Sequence, residues 1–199
     1  MGRARRPWAA LVALALAPFT LAGGGMEPTC ESSVDLGAFG TAAEATTALQ
    51  AAVDAADLCM GLLHVVEVTG DVTLTAPLVH RHAVPVVLRG VGSERSVLSG
   101  GTAHRILVVD PVGPSGAADL TLEHVELRDG RADEALGPSG YVDGGAVWAP
   151  EGAGIVVTVR DAILADNVAL EAGGAVAADA VVLEDVAVVD NTAELGGAL

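Results

Sequence analysis

The residues best equipped for chemistry in this 199-residue chain are aspartates that recur at one place in a repeated phrase. Asp129 lies near the end of "LEHVELRDG", Asp166 near that of "VRDAILADN" and Asp190 near that of "LEDVAVVDN". On neighbouring strands such carboxylates would stand about 5 Å apart, close to the spacing of the carboxyl pair in a retaining glycosidase. The same ladder suits Ca2+, a hard cation that takes oxygen ligands. Repetition alone also stacks them, as solvated turn residues, and that is the reading adopted. No catalytic residue is therefore assigned, and Asp129, Asp143, Asp166 and Asp190 stand as the candidates. No metal or cofactor is assigned either, with Ca2+ as the one candidate ion.

Other reactive side chains are scattered. In "YVDGGAVW", Asp143 sits between Tyr141 and Trp148, an aromatic pair that could hold a sugar ring or simply pack beside a protruding loop. His80 and His82 in "HRH" alternate onto one side of an extended segment, a weak zinc geometry with no Cys or carboxylate set beside it in sequence. His64, His104 and His124 are isolated. Arg105, Arg128 and Arg160 offer cations, but no spacing groups them with Asp143, and Arg128 and Arg160 read as surface partners for acidic neighbours. "LRGVGSERS" is Gly-rich without the Lys-Ser/Thr ending of a phosphate loop, and no Gly-x-Ser-x-Gly or dinucleotide fingerprint occurs. Cys30 and Cys59 would pair as a disulfide in an oxidising compartment, or remain two buried thiols otherwise; their spacing matches no metal motif.

These residues need a scaffold, and its composition is unusual. Apolar residues make up 51% but aromatics only 3%, so Val, Leu and Ala must build the core, which favours strands and turns over a helical bundle. One segment reads as a helix, "TAAEATTALQAAVDAADLCMG". Thr41 and Glu44 form a capping box, Leu49, Val53, Ala56 and Met60 share a face, and Gly61 can end it. From Leu62 onward short Val/Leu/Ile runs alternate with Gly, Asp, Asn and Pro, too closely spaced for crossover helices. The three Asp-ending phrases are followed by Gly-Gly-Ala-aliphatic at Gly144–Gly145, Gly173–Gly174 and Gly196–Gly197, and the last two copies repeat at about 23 residues. "APEGAG" and "RADEALGPSGYVD" read as loops pushed out of the repeat.

That period predicts an all-β fold, a right-handed parallel β-helix (β-solenoid) with an N-terminal capping helix and a C-terminal end that is uncapped or truncated. In it Asn167 and Asn191 stack at a corner, each amide bonding to its neighbours, while Gly144, Gly145, Gly173, Gly174, Gly196 and Gly197 relieve a tight bend. The predicted organisation is a signal peptide over 1–22, an N-terminal segment with the capping helix over 23–61, and repeats over 62–199. "MGRARR", a short apolar run and "GGG" form the signal, with cleavage after Ala22 and an uncleaved anchor as the competitor. The formal net charge of −16, with ten arginines and no lysine, excludes a phosphate-binding face and an anionic membrane surface.

"LADNVALEAGGAV" and "VVDNTAELGGAL" resemble the polymorphic outer-membrane protein repeat, a Phe-x-x-Asn block paired with Gly-Gly-Ala-Ile. Such repeats occur in exported bacterial parallel β-helix proteins of the pectin-lyase-like superfamily. The resemblance covers roughly residues 41–199, since "ATTALQAAVDAADL", "GDVTLTAPLV" and "VVLRGVGSERSVLSGG" follow the order that opens many of those proteins. It departs in having Leu127, Leu164 and Val188 where the family has Phe, and in lacking a β-barrel translocator. The resemblance implies a secreted, cell-surface or outer-membrane location and no span after signal cleavage. It also implies relatives that cleave acidic polysaccharides, a chemistry that needs an activated Arg or Lys.

The expected function is a non-catalytic exported β-helix, a structural, adhesive or carbohydrate-contacting module. A polysaccharide lyase or glycoside hydrolase is the first alternative, and an N-terminal fragment of a larger surface protein the second. The expected partners are polysaccharide or other cell-surface molecules, with end-to-end self-association at the open last repeat and no nucleic acid.

Overall fold

A computed structural model describes residues 29–59, 62–110, 119–133 and 142–199. The segment over 1–22 that the sequence predicts as a signal peptide, Met60, Gly61 and Tyr141 lie outside the described residues. The chain is mostly β. It begins with β1 (Thr29–Asp35) and α1 (Ala42–Asp54), then runs through β2 (Leu63–Thr69), β3 (Val72–Thr73), β4 (Leu78–His80), β5 (Val86–Gly90), β6 (Ser96–Ser99) and β7 (Leu107–Val109). It continues with β8 (Leu120–Glu123), β9 (Val125–Arg128), β10 (Arg131–Ala132), β11 (Val147–Trp148), β12 (Val156–Ala165), β13 (Val168–Ala169), β14 (Val176–Ala177) and β15 (Ala180–Val189).

Every strand pairing is parallel. The largest sheet runs β1-β2-β5-β8-β12-β9-β6-β3, with β15 added on β12; a second runs β14-β11-β7-β4, and β10 pairs β13. The long strand β12 joins two series: its first half pairs β8 and its second half pairs β9. Register puts like on like. Leu98, Leu127, Leu164 and Val188 stand opposite one another in turn, as do Val66, Leu88, Leu122, Val159 and Leu183. The inner members of both columns are buried and form the core. Burying a Leu or Val side chain contributes roughly 1.5–3 kcal/mol each, so the columns are the main source of stability in a chain with so few aromatics.

The helix covers one end of these sheets. Thr41 Oγ1 accepts from the Glu44 amide at 3.3 Å and donates to the Glu44 carboxylate at 3.1 Å. Ala45, Ala48, Leu49, Ala52 and Val53 turn inward. Gln50 donates to the Val79 carbonyl at 2.9 Å and accepts from the Val79 amide at 2.8 Å, while Thr46 accepts from the Thr75 amide. These side chains satisfy backbone groups that a sheet edge would otherwise leave open. The expected α-helix through Met60 is shorter than the sequence suggests: after Asp54 the chain tightens into a 3-10 turn over Ala55–Cys59, which brings Cys59 back to β1. A disulfide joins Cys30 and Cys59, with Cα atoms 5.6 Å apart.

Candidate functional site

The repeated Asp, Asn and Gly residues prove to be turn machinery. Asp129, Asp166 and Asp190 have φ of 54°, 55° and 52°, the left-handed region in which Asp is among the better-tolerated side chains. Asp129 accepts from Ser99 Oγ at 3.0 Å and lies 3.5 Å from Arg128 Nε; Asp166 and Asp190 are exposed. Asn167 is fully buried. Its Oδ1 accepts from the Gly130 amide, and its Nδ2 donates to the Leu127 carbonyl and to Asn191 Oδ1, all within 3.0 Å. Asn191 repeats the pattern by donating to the Leu164 carbonyl at 2.7 Å.

The glycine pairs divide their labour. Gly144, Gly173 and Gly196 adopt positive φ, whereas Gly145 and Gly174 are needed for close approach. A Cβ on Gly145 would meet the Gly174 carbonyl oxygen at 2.2 Å, and one on Gly174 would meet that of Gly197 at 1.9 Å. Gly197 also has positive φ, at 57°.

Asp143 is bonded through backbone groups, and its described aromatic neighbour in sequence, Trp148, is buried. Its Oδ1 accepts from the Ala172 amide at 2.9 Å, and its carbonyl accepts from Arg105 Nε at 2.9 Å. Arg105 is buried and lies 6.0 Å from the Trp148 ring. Burial lowers the Arg105 pKa while Asp143 opposes the shift. Sequence spacing did not group Arg105 with Asp143, but the fold does. Trp148 is only 7% exposed, so its ring is not a platform for a sugar.

A second row of left-handed residues went unrecognised in the sequence. His124, Asp161 and Asp185 have φ of 54°, 44° and 55° and interrupt the long strand series midway. His124 is therefore not isolated: its Nδ1 lies 2.7 Å from Asp161 Oδ2. Asp161 also takes an ion pair from Arg95 Nη2, and its carbonyl accepts from Arg95 Nε at 2.9 Å. The bonds from His124 and then Arg95 hold the Asp161 carboxyl below its ordinary range. This trio forms a ridge between two shallow depressions of about 380 and 350 Å³. Asp71, Glu94 and Glu126 line one, and Glu67, Glu123 and Arg89 the other. The signal available in sequence was a polar residue breaking an aliphatic run, Glu-His in "LEHVEL" and Arg-Asp in "VRDAIL".

The ridge presents hydrogen-bonding groups held by one another, and its imidazole is not placed as a general base. A general base must reach the proton it takes, and His124 Nε2, the nitrogen not engaged with Asp161, is buried and without a hydrogen-bond partner among the described residues. Around the two depressions stand six carboxylates and two guanidiniums, an array that repels anions and presents planar hydrogen-bonding groups.

The remaining histidines sit near the helix. His80 is fully buried, and among the described residues neither ring nitrogen has a hydrogen-bond partner of good geometry. Burial, and then His82 and His64, push its pKa down to about 4, with only the Val84 backbone opposing. His82 has the carboxylates that the sequence did not place beside it, Asp57 at 2.5 Å and Asp54 at 3.5 Å. His104 is buried against the Leu74 and Arg105 carbonyls. His64 is buried between Ala52, Ser32 and the disulfide. Arg128 pairs with Glu126 and Asp129, and Arg160 is exposed. No helix among the described residues is long and apolar enough to cross a membrane. No protein-family model matches the chain, and neither a curated protein nor a solved structure does.

Proposed function

We propose that this chain is a right-handed parallel β-helix, exported to the cell surface or beyond, that contacts neutral, hydroxyl-rich carbohydrate without turning it over. The carrying observation is the Arg95–His124–Asp161 ridge, whose polar groups are fixed by one another and face two open depressions rather than an enclosed reaction chamber. Carboxylates and guanidiniums held in place hydrogen-bond sugar hydroxyls with little further side-chain ordering at binding. The acid balance of the ridge and the net charge of −16 weigh against acidic polysaccharides. The β-helix reading rests on the all-parallel pairing and on the Asn and Gly columns, because only a chain that returns to the same place each circuit needs matched corners. Export rests on the N-terminal signal pattern and the disulfide. The polymorphic outer-membrane protein resemblance points the same way.

Binding of the purified protein to a panel of neutral and acidic polysaccharides, with product analysis, tests the reading. Retention on a neutral polymer that drops about tenfold in Arg95→Ala and Asp161→Asn, from loss of one charge-assisted contact, supports it. Turnover that disappears in Asp161→Asn or Asp166→Asn would replace it with a glycoside hydrolase or lyase. Among the described residues β15 pairs only with β12 and exposes Leu183 and Val188 at core positions, a surface on which a second copy could add its own strand as part of the same role.

A further inference from the structure

Cys30, Cys59 and His64 stand apart from everything the surface ridge uses. Cys30 is directly opposite His64 in the β1–β2 ladder, and Cys59 is delivered by the 3-10 turn after α1. The two sulfurs and one nitrogen of His64 all lie within 4.8 Å of one another. His64 is 1% exposed and occupies an inward position taken by Val86 in the next strand of the sheet. An imidazole at an otherwise aliphatic position needs a reason.

The hydrogen bonds supply one. His64 Nε2 lies 2.8 Å from the Ala52 carbonyl and 3.2 Å from Ser32 Oγ; the shorter contact, to a group that can only accept, assigns the proton of a neutral ring to that nitrogen. In the neutral ring Nδ1 is then a lone pair. Its neighbours are Cys59 Sγ and the Cys30 carbonyl, both at 3.2 Å, and neither can donate while the sulfurs are joined. A buried histidine with one ring nitrogen beside a cysteine sulfur, the second sulfur within 4.8 Å of the group, and its other nitrogen bonded to a backbone carbonyl has the arrangement of a metal-ligating histidine and its orienting partner.

We propose that these residues form a zinc site that alternates with the disulfide. Reduction by a dithiol reductant gives Cys30 and Cys59 thiols and leaves the reductant as its own disulfide. Zn2+ then binds two thiolates and His64 Nδ1, releasing the two thiol protons. The set is three protein ligands of the Cys2His kind, with a fourth position open to water. The site would hold β1, β2 and the 3-10 turn after α1 together before the disulfide forms and after it is reduced. It does not rest on carbohydrate binding.

The test uses the full chain, anaerobically, reduced with a phosphine and in parallel oxidised, titrated with Co2+ and then Zn2+. The reduced protein is expected to take up one equivalent of Co2+ with a near-ultraviolet thiolate-to-cobalt band that Zn2+ abolishes. Zn2+ should also raise its urea midpoint, while leaving that of the oxidised protein unchanged. His64→Ala should weaken binding by about tenfold or more. Cys59→Ser should remove the thiolate band or reduce it to that of a single sulfur. Absence of the band in reduced wild type overturns the proposal, as does equal uptake by the oxidised protein, which would place the metal at His80 and His82 instead. An intact affinity in a folded His64→Ala protein would do so too.

Discussion

Replacing Asn167 by Ala should cost far more than replacing Asn191, although the two are copies in sequence. Asn167 is fully buried. Its loss strips the Gly130 amide of an acceptor at 2.9 Å and the Leu127 carbonyl of a donor at 3.0 Å, deep in the structure. A buried donor left unsatisfied costs about 1–3 kcal/mol, and the carbonyl and the small void add to it. We expect about 3 kcal/mol for Asn167→Ala. Asn191 is half-buried on the outermost strand series, where water can reach the groups it releases, so Asn191→Ala should cost about 1 kcal/mol. Asn167→Asp should be no better than Ala. Its oxygen could still accept from Gly130, but the other would face the Leu127 carbonyl and Asn191 Oδ1. Urea unfolding followed by circular dichroism measures all three. Equal losses at 167 and 191, or a loss below about 1 kcal/mol at 167, would refute the idea that an amide ladder holds these corners.

His80 should make the fold acid-labile in a defined window. With its pKa at about 4 in the fold against 6.5 unfolded, the unfolded chain takes the extra proton between those values. Stability is then complete above pH 6.5 and declines toward pH 4 by about 3 kcal/mol, and His80→Leu should flatten that decline in urea midpoints measured across the range. Asp161 and Asp179, held low by His124 with Arg95 and by the Gly152 and Gly154 amides, contribute stability that is lost only as pH falls further, through their depressed values. Gly145→Ala should abolish soluble folded protein, because backbone stands 2.2 Å from the new Cβ, whereas Gly152→Ala, with φ of 75° and open space around it, should cost only about 1–2 kcal/mol in thermal melts. Leu183→Glu should turn a concentration-dependent sedimentation profile into that of a monomer by placing charge on the open β15 edge.

Particular residues show how far the sequence could be read. Leu127, Leu164 and Val188 announced a column because repetition and the parallel ladder demand the same residue class at the same place. Thr41 and Glu44 announced the helix start because capping is local, decided within one turn. The second left-handed row did not show. His124 differs in type from Asp161 and Asp185, and a polar residue breaking an aliphatic run, as in "LEHVEL", fits an exposed strand position as well as a bend. The helix end was misjudged because Ala55–Cys59 keeps helical periodicity, while the disulfide and His64 draw it into a tighter turn.

By itself the sequence determined the strand-rich class, the matched corners and the glycines that permit them, since these follow from propensity, period and the absence of a Cβ. Only the tertiary structure decided which polar groups meet. Arg95 reaches Asp161 across 66 residues, His64 meets Cys30 across 34, and Arg105 finds Asp143 across 38. Those distances along the chain depend on how many residues each loop spends between strands, and a period read with its insertions unplaced cannot say which side chain stands above which.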